Sequence, residues 1–123
     1  MVRVEIITNN PDVRDAYEPQ TVYLPGDVRA VFITVRDRVH AGAKILSHPL
    51  SGSIKPWESP YKSVVISPQQ GALDFASLQL IESALEKLGN RAAPPYTDAS
   101  LLEDFRIIDL DLMRSAMHAY GGN

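Results

Sequence analysis

The residues best suited to chemistry are concentrated in one stretch, Ser47-His48-Pro49-Leu50-Ser51-Gly52-Ser53-Ile54-Lys55-Pro56-Trp57-Glu58-Ser59-Pro60-Tyr61-Lys62-Ser63. Ser51, Gly52 and Ser53 let the backbone approach a ligand closely and offer two hydroxyls beside several N–H groups. Lys55 and Lys62 add positive point charges, so the stretch suits a phosphate or a carboxylate. Its three prolines restrict the chain, which lowers the entropic cost of a pre-formed pocket. A proline-stiffened crossover loop whose serines bond their own backbone has the same composition. Histidine is the side chain suited to proton transfer near neutrality, and His48 is the candidate acid/base or ligand-orienting group. Its alternative role is to fix the loop through a backbone hydrogen bond.

A second cluster lies near the N-terminus. Asn9-Asn10-Pro11 could present amides and a helix N-terminus to an anion, or serve only as cap and turn. Arg36, Asp37 and His40 form a further group, although cations in a last helical turn also complement the helix dipole. Trp57 and Tyr61 are candidate docking residues, because aromatic side chains favour interface centres.

Several familiar chemistries are absent. No Walker A loop and no G-x-G-x-x-G fingerprint occurs. Ser59-Pro60-Tyr61-Lys62 matches S-x-x-K by letter, without the accompanying motifs of the serine acylases. No histidine pair has the i, i+4 spacing of a helical metal site, and Asp109-x-Asp111 reads as a helix cap with its first-turn neighbour rather than a metal pair. Neither metal nor cofactor is expected. The chain has no cysteine, which excludes a disulfide framework and a cysteine nucleophile.

The charges are unevenly placed. Residues 29–62 hold Arg29, Arg36, Arg38, Lys44, Lys55 and Lys62 against Asp37 and Glu58, whereas the whole chain carries −3. Local positive charge on an acidic protein draws a small anion to one place rather than nucleic acid along a face. No window approaches the ~20 apolar residues of a membrane span, and no signal-peptide core precedes Asn9. The expectation is a cytoplasmic protein with neither nucleic-acid nor membrane partner; homo-oligomerisation is left open.

The elements that must position these residues follow from periodicity. Residues 2–8, 21–24, 44–47 and 63–67 read as strands, rich in β-branched and alternating residues. Asn10 and Pro11 open a short helix to about Tyr17. Val28, Val31, Phe32, Val35 and Val39 mark one face of a second helix that stops at Gly42. Asp74 opens a third, with Leu78, Ile81, Leu85 and Leu88 inward. Residues 99–120 read as mostly helical, with a break near Asp109 or an edge strand over 105–112 as the alternatives. Strands separated by helices imply βαβ units. The expected fold is a single α/β domain over 1–123, a small three-layer sandwich with a mostly parallel sheet of about four strands in order 2-1-3-4. Ligands in such sheets sit beyond the strand carboxyl ends at the switch point, here between Thr8-Asn9-Asn10 and Ser47-His48.

Thr8-Asn9-Asn10-Pro11, Val35-Arg36-Asp37 with His40 and Gly42, and above all His48-Pro49-Leu50-Ser51-Gly52-Ser53-Ile54-Lys55-Pro56 leading to Ser59-Pro60-Tyr61-Lys62-Ser63 resemble the GrdX family. Its members are small proteins encoded beside the components of glycine, sarcosine and betaine reductase in amino-acid-fermenting bacteria. The resemblance is firmest over residues 35–67 and loosest after residue 90. It implies that genomic setting and an accessory role, and it supplies no catalytic residues.

Three functions fit these features. The first is an accessory protein binding a small anion through Asn9, Asn10, Ser51, Gly52 and Ser53, with Lys55 and Lys62 supplying charge and His48 orienting. The second is an enzyme, a hydrolase or transferase, using His48; Asp37 or Glu58 would have to reach it by folding. The third is an interaction module docking Trp57 and Tyr61 on a reductase component.

Overall fold

The computed structural model describes residues 3–51, 55–68 and 71–120. Four strands and four helices follow one another as β1 (Glu5–Thr8), α1 (Pro11–Tyr17), β2 (Thr21–Tyr23), α2 (Val28–His40), β3 (Lys44–Ile45), β4 (Ser63–Ser67), α3 (Phe75–Leu88) and α4 (Ala99–His118).

Each helix starts where a side chain satisfies an otherwise unpaired backbone N–H. Asn10 accepts from the Asp12 N–H at 3.0 Å, and Pro11 takes the first turn of α1. Asp27 caps α2 through the Ala30 N–H at 2.9 Å, and Asp74 caps α3 through the Ser77 N–H at 3.2 Å. Asp98 caps α4 through the N–H groups of Ser100 and Leu101. Helix α2 is followed by Gly42 at φ 105°, a conformation that favours glycine. Gly26 serves by its size instead: a Cβ there would lie 2.8 Å from the Ala30 Cβ, so only glycine brings the turn this close to α2.

The sheet order is β2-β1-β4-β3. β1 and β2 are parallel, pairing Ile6 with Thr21, whereas β4 runs antiparallel to both β1 and β3. The sheet is therefore mixed, which corrects the expected mostly parallel order 2-1-3-4. The cause lies between β3 and β4. A parallel neighbour needs a crossover, usually helical; residues 46–62 supply none among those described, so the chain turns back and β4 runs antiparallel. β4 takes the centre because all five of its residues are buried, while β3 has only two residues and an exposed Lys44 that suits a short edge.

Side-chain alternation divides the core into two halves. Ile7, Val64 and Ile66 pack against α2 and α3 through Val31, Phe32, Val35, Ile81 and Leu88. Val4, Ile6 and Val65 pack against α1 and α4 through Val13, Tyr17, Met113 and Met117. Helices on both faces make three layers, as expected. α4 is one unbroken helix of 20 residues, which corrects both the break near Asp109 and the edge strand over 105–112. Its buried residues are Asp109, Met113 and Met117, at helical spacing. The Asp109-Leu110-Asp111-Leu112 alternation therefore has no strand behind it. No helix among the described residues is long and apolar enough to cross a membrane.

This topology gathers one edge of the sheet. The end of β1, the start of β4 and the end of β3 lie side by side, with Thr8 opposite Ser63 and the Leu46 N–H bonded to the Val65 carbonyl. The segments expected to meet do reach the same edge, with β4 between them. α2 runs the other way. Arg38 in its last turn pairs with Glu5 at the start of β1. Arg36, Asp37 and His40 therefore lie at the opposite edge from Asn9 and His48.

A candidate cleft braced by buried polar groups

Asn9 and Asn10 face inward at the end of β1. The Asn9 amide donates to the carbonyls of Gly26 and Pro60, both at 2.8 Å, and its oxygen accepts the Lys62 N–H at 2.8 Å. One buried side chain thereby fixes the turn before α2 and the segment entering β4. The Asn10 amide donates to the Arg106 carbonyl at 3.0 Å and to the Asp109 carboxylate at 3.1 Å. Both amides brace the fold rather than stand open to a ligand.

Asp109 is the centre of this brace. It lies mid-helix in α4, not at a cap as the sequence suggested, and is 5% exposed. Its Oδ2 accepts from Ser63 Oγ at 2.7 Å, and Ser63 Oγ lies 2.6 Å from Thr8 Oγ1. Burial pushes the Asp109 carboxyl up from the usual carboxylate range, against the hydrogen bonds from Ser63 and Asn10. Burial likewise pushes the Lys62 ammonium down, with the negative charge of Asp109 opposing the shift. Desolvation dominates at both residues, so these charges do not fully compensate one another. Lys62 Nζ also reaches the Ser51 carbonyl at 3.5 Å.

The remaining candidates are dispersed. His48 is exposed, and its Nδ1 accepts the Leu50 N–H at 3.1 Å, the loop-fixing arrangement. No carboxylate is ion-paired with it among the described residues. Lys55 is exposed, and Gly52 and Ser53 lie outside the described residues. Trp57 is half-buried and packs against the α2–α3 core. The Tyr61 hydroxyl accepts from Arg106 Nη1 at 3.2 Å, and Arg106 in turn faces Asp12 at 3.6 Å. No cluster among the described residues could hold a metal ion.

Next to Asn9 opens a cleft of about 350 Å³. The first turn of α2 forms one wall with Asp27, Val28 and Arg29. Trp57, Pro60 and Tyr61 form another, and Leu88 with residues 91–94 closes the third. Arg91 places its guanidinium 4.0 Å from the Trp57 ring centroid, a cation–π arrangement. It has no acidic partner among the described residues. Arg29 is tied to the chain, donating to the carbonyls of Gly89 and Arg91. The cleft thus combines apolar walls, a helix N-terminus and a guanidinium with unused donors. That is the usual form of a small-molecule site, apolar with a few placed polar groups.

Sequence reasoning missed Arg91 as the partner of Trp57, and Arg29 and Asp27 as residues of the same cleft. One signal was present: Arg91 stands in a connector, residues 89–97, that contains no acidic residue and carries Pro94-Pro95. Asp109 gave no comparable signal, because its burial depends on how α4 docks.

Fold and cleft together define a small three-layer α/β protein with a candidate ligand site at the strand-end edge. The model of the GrdX-like protein family matches residues 5–118, and the chain belongs to that family. No curated protein and no solved structure matches it.

Proposed function

We propose that this GrdX-like protein is an accessory protein of the cytoplasm that binds a small anionic metabolite. The binding place is the cleft between the start of α2, residues 57–61, the end of α3 and the connector at 91–94. One observation carries the reading: the Arg91 guanidinium lies over Trp57 at 4.0 Å with no carboxylate ion-paired to it among the described residues. A guanidinium held on an aromatic face loses little freedom on binding and presents a fork that matches carboxylate or phosphate. The first turn of α2 faces the same space, with Asp27 at its cap. Of the 47–63 stretch, Trp57, Pro60 and Tyr61 supply the wall. A role beside an amino-acid reductase, implied by the family resemblance, is compatible with such a carrier or sensor.

The other two readings draw less support. An enzyme built on His48 needs a partner carboxylate, and none pairs with it among the described residues. Docking through Trp57 needs an open ring, yet its ring lies beneath Arg91 and its body packs on the core.

A thermal-shift screen with phosphate, sulfate, acetyl phosphate, nucleotides and amino-acid derivatives tests the proposal. Ligand at ~100 times its dissociation constant adds about 2.7 kcal/mol of stability. A shift lost in Arg91→Ala supports the cleft; a shift retained in that variant moves the ligand elsewhere.

A further inference from the structure

We infer, building on the anion-binding reading of the same cleft, that its ligand is dipolar: a molecule carrying an ammonium group and a carboxylate on an apolar body, such as a free amino acid. The observation is the placement of Asp27. Asp27 lines the same cleft as Arg91 and is exposed. Its Oδ1 accepts the Ala30 N–H at 2.9 Å, while its other oxygen takes no hydrogen bond from the described residues. An Asp at an N-cap already offsets the positive end of the helix. A purely anionic ligand pressed toward α2 would meet that negative charge at close range, where unit charges interact strongly.

The two charged side chains of the cleft therefore ask for opposite things. Arg91 offers donors to a carboxylate, and Asp27 offers an acceptor to an ammonium. Pro60, Leu88, Ala92 and Ala93 among the lining residues give the apolar body a place to pack. Inorganic phosphate uses only Arg91. A neutral apolar molecule uses neither side chain and leaves both charges to solvent. A zwitterion uses both, and its two charge-assisted contacts fix its orientation.

The discriminating variant is Asp27→Asn, because asparagine caps a helix about as well as aspartate and removes only the charge. Isothermal titration of the full chain would use free α- and ω-amino acids of graded size. Each would be run beside its N-acetyl and deamino counterparts, with inorganic phosphate alongside. The expected result is a preference of at least about tenfold for the free amino acid over both counterparts, worth roughly 1.4 kcal/mol. Asp27→Asn should abolish that preference while the deamino acid still binds, and Arg91→Ala should remove both. N-acetyl and deamino acids binding as tightly as free amino acids would overturn the dipolar ligand, as would a preference that survives Asp27→Asn. Anion binding that disappears with Arg91→Ala would stand in either case. The absence of any binding heat with every probe at millimolar concentration would overturn the dipolar ligand and the anion reading together.

Discussion

The Ser63 hydroxyl donates to Asp109 Oδ2 at 2.7 Å, tying the first residue of β4 to the middle of a helix 46 positions further along the chain. Asn10 joins the same oxygen at 3.1 Å. α4 is thus held to the sheet by a buried carboxylate as well as by Met113 and Met117.

Replacing Asp109 separates its hydrogen bonds from its charge. Asp109→Ala removes the shared acceptor, although Asn10 keeps the Arg106 carbonyl and Ser63 keeps Thr8. Its cost should be about 1–3 kcal/mol, the range for a disrupted buried polar contact. Asp109→Asn keeps an oxygen for both donors and should cost less. Urea denaturation of the two variants measures the difference.

The same carboxyl gives a pH dependence with a defined sign. Burial raises its folded pKa above the ordinary value of 3.8. The folded state therefore holds this proton more tightly than the unfolded chain does. The contribution of Asp109 is greatest below pH 3.8 and declines as pH rises through the raised folded value. Asp109→Asn should remove that decline, so the difference in unfolding free energy between wild type and variant should shift in favour of the variant as pH rises. Other carboxylates titrate in both proteins and cancel in the difference.

Asn9 holds three backbone groups at once: the carbonyls of Gly26 and Pro60 and the N–H of Lys62. Asn9→Ala leaves these groups without their side-chain partner beside the cleft and should cost roughly 2–4 kcal/mol. Asn9→Asp should be no better, since a carboxylate would face the two carbonyls. Hydrogen exchange should show faster loss of protection around Lys62 in either variant.

Arg91 lies on the surface, so Arg91→Ala should change stability by about 1 kcal/mol or less, the scale of an exposed cation–π contact. Its effect should fall on binding instead, weakening any cleft anion at least about tenfold, or roughly 1.4 kcal/mol. Titration calorimetry beside a melting curve separates the two effects.

His48→Ala should be close to silent. The exposed ring accepts one backbone N–H, a contact worth about 0.5–1.5 kcal/mol at most. A variant that melts within a few degrees of wild type and binds the same anions would count against any role of His48 in chemistry.

The sequence by itself determined the local elements and the family. The caps Asn10, Asp27 and Asp74 are readable because their signals lie within one helical turn of the residues they bond. The core face of α2 is readable because Val28, Val31, Phe32, Val35 and Val39 recur at helical spacing and are all buried. The string from His48 to Pro56 carried the family resemblance, which the match over residues 5–118 bears out. Strand direction was not readable. It turned on whether residues 46–62 held a crossover, and β4 runs antiparallel between β1 and β3. The partners of Asp109 and Arg91 were not readable either. A carboxylate in α4 meets Asn10 across 99 positions, and a connector arginine meets Trp57 across the cleft. Capping and periodicity act within a few residues, whereas these pairings exist only after the two faces of the sheet have been covered, and only the tertiary structure decides them.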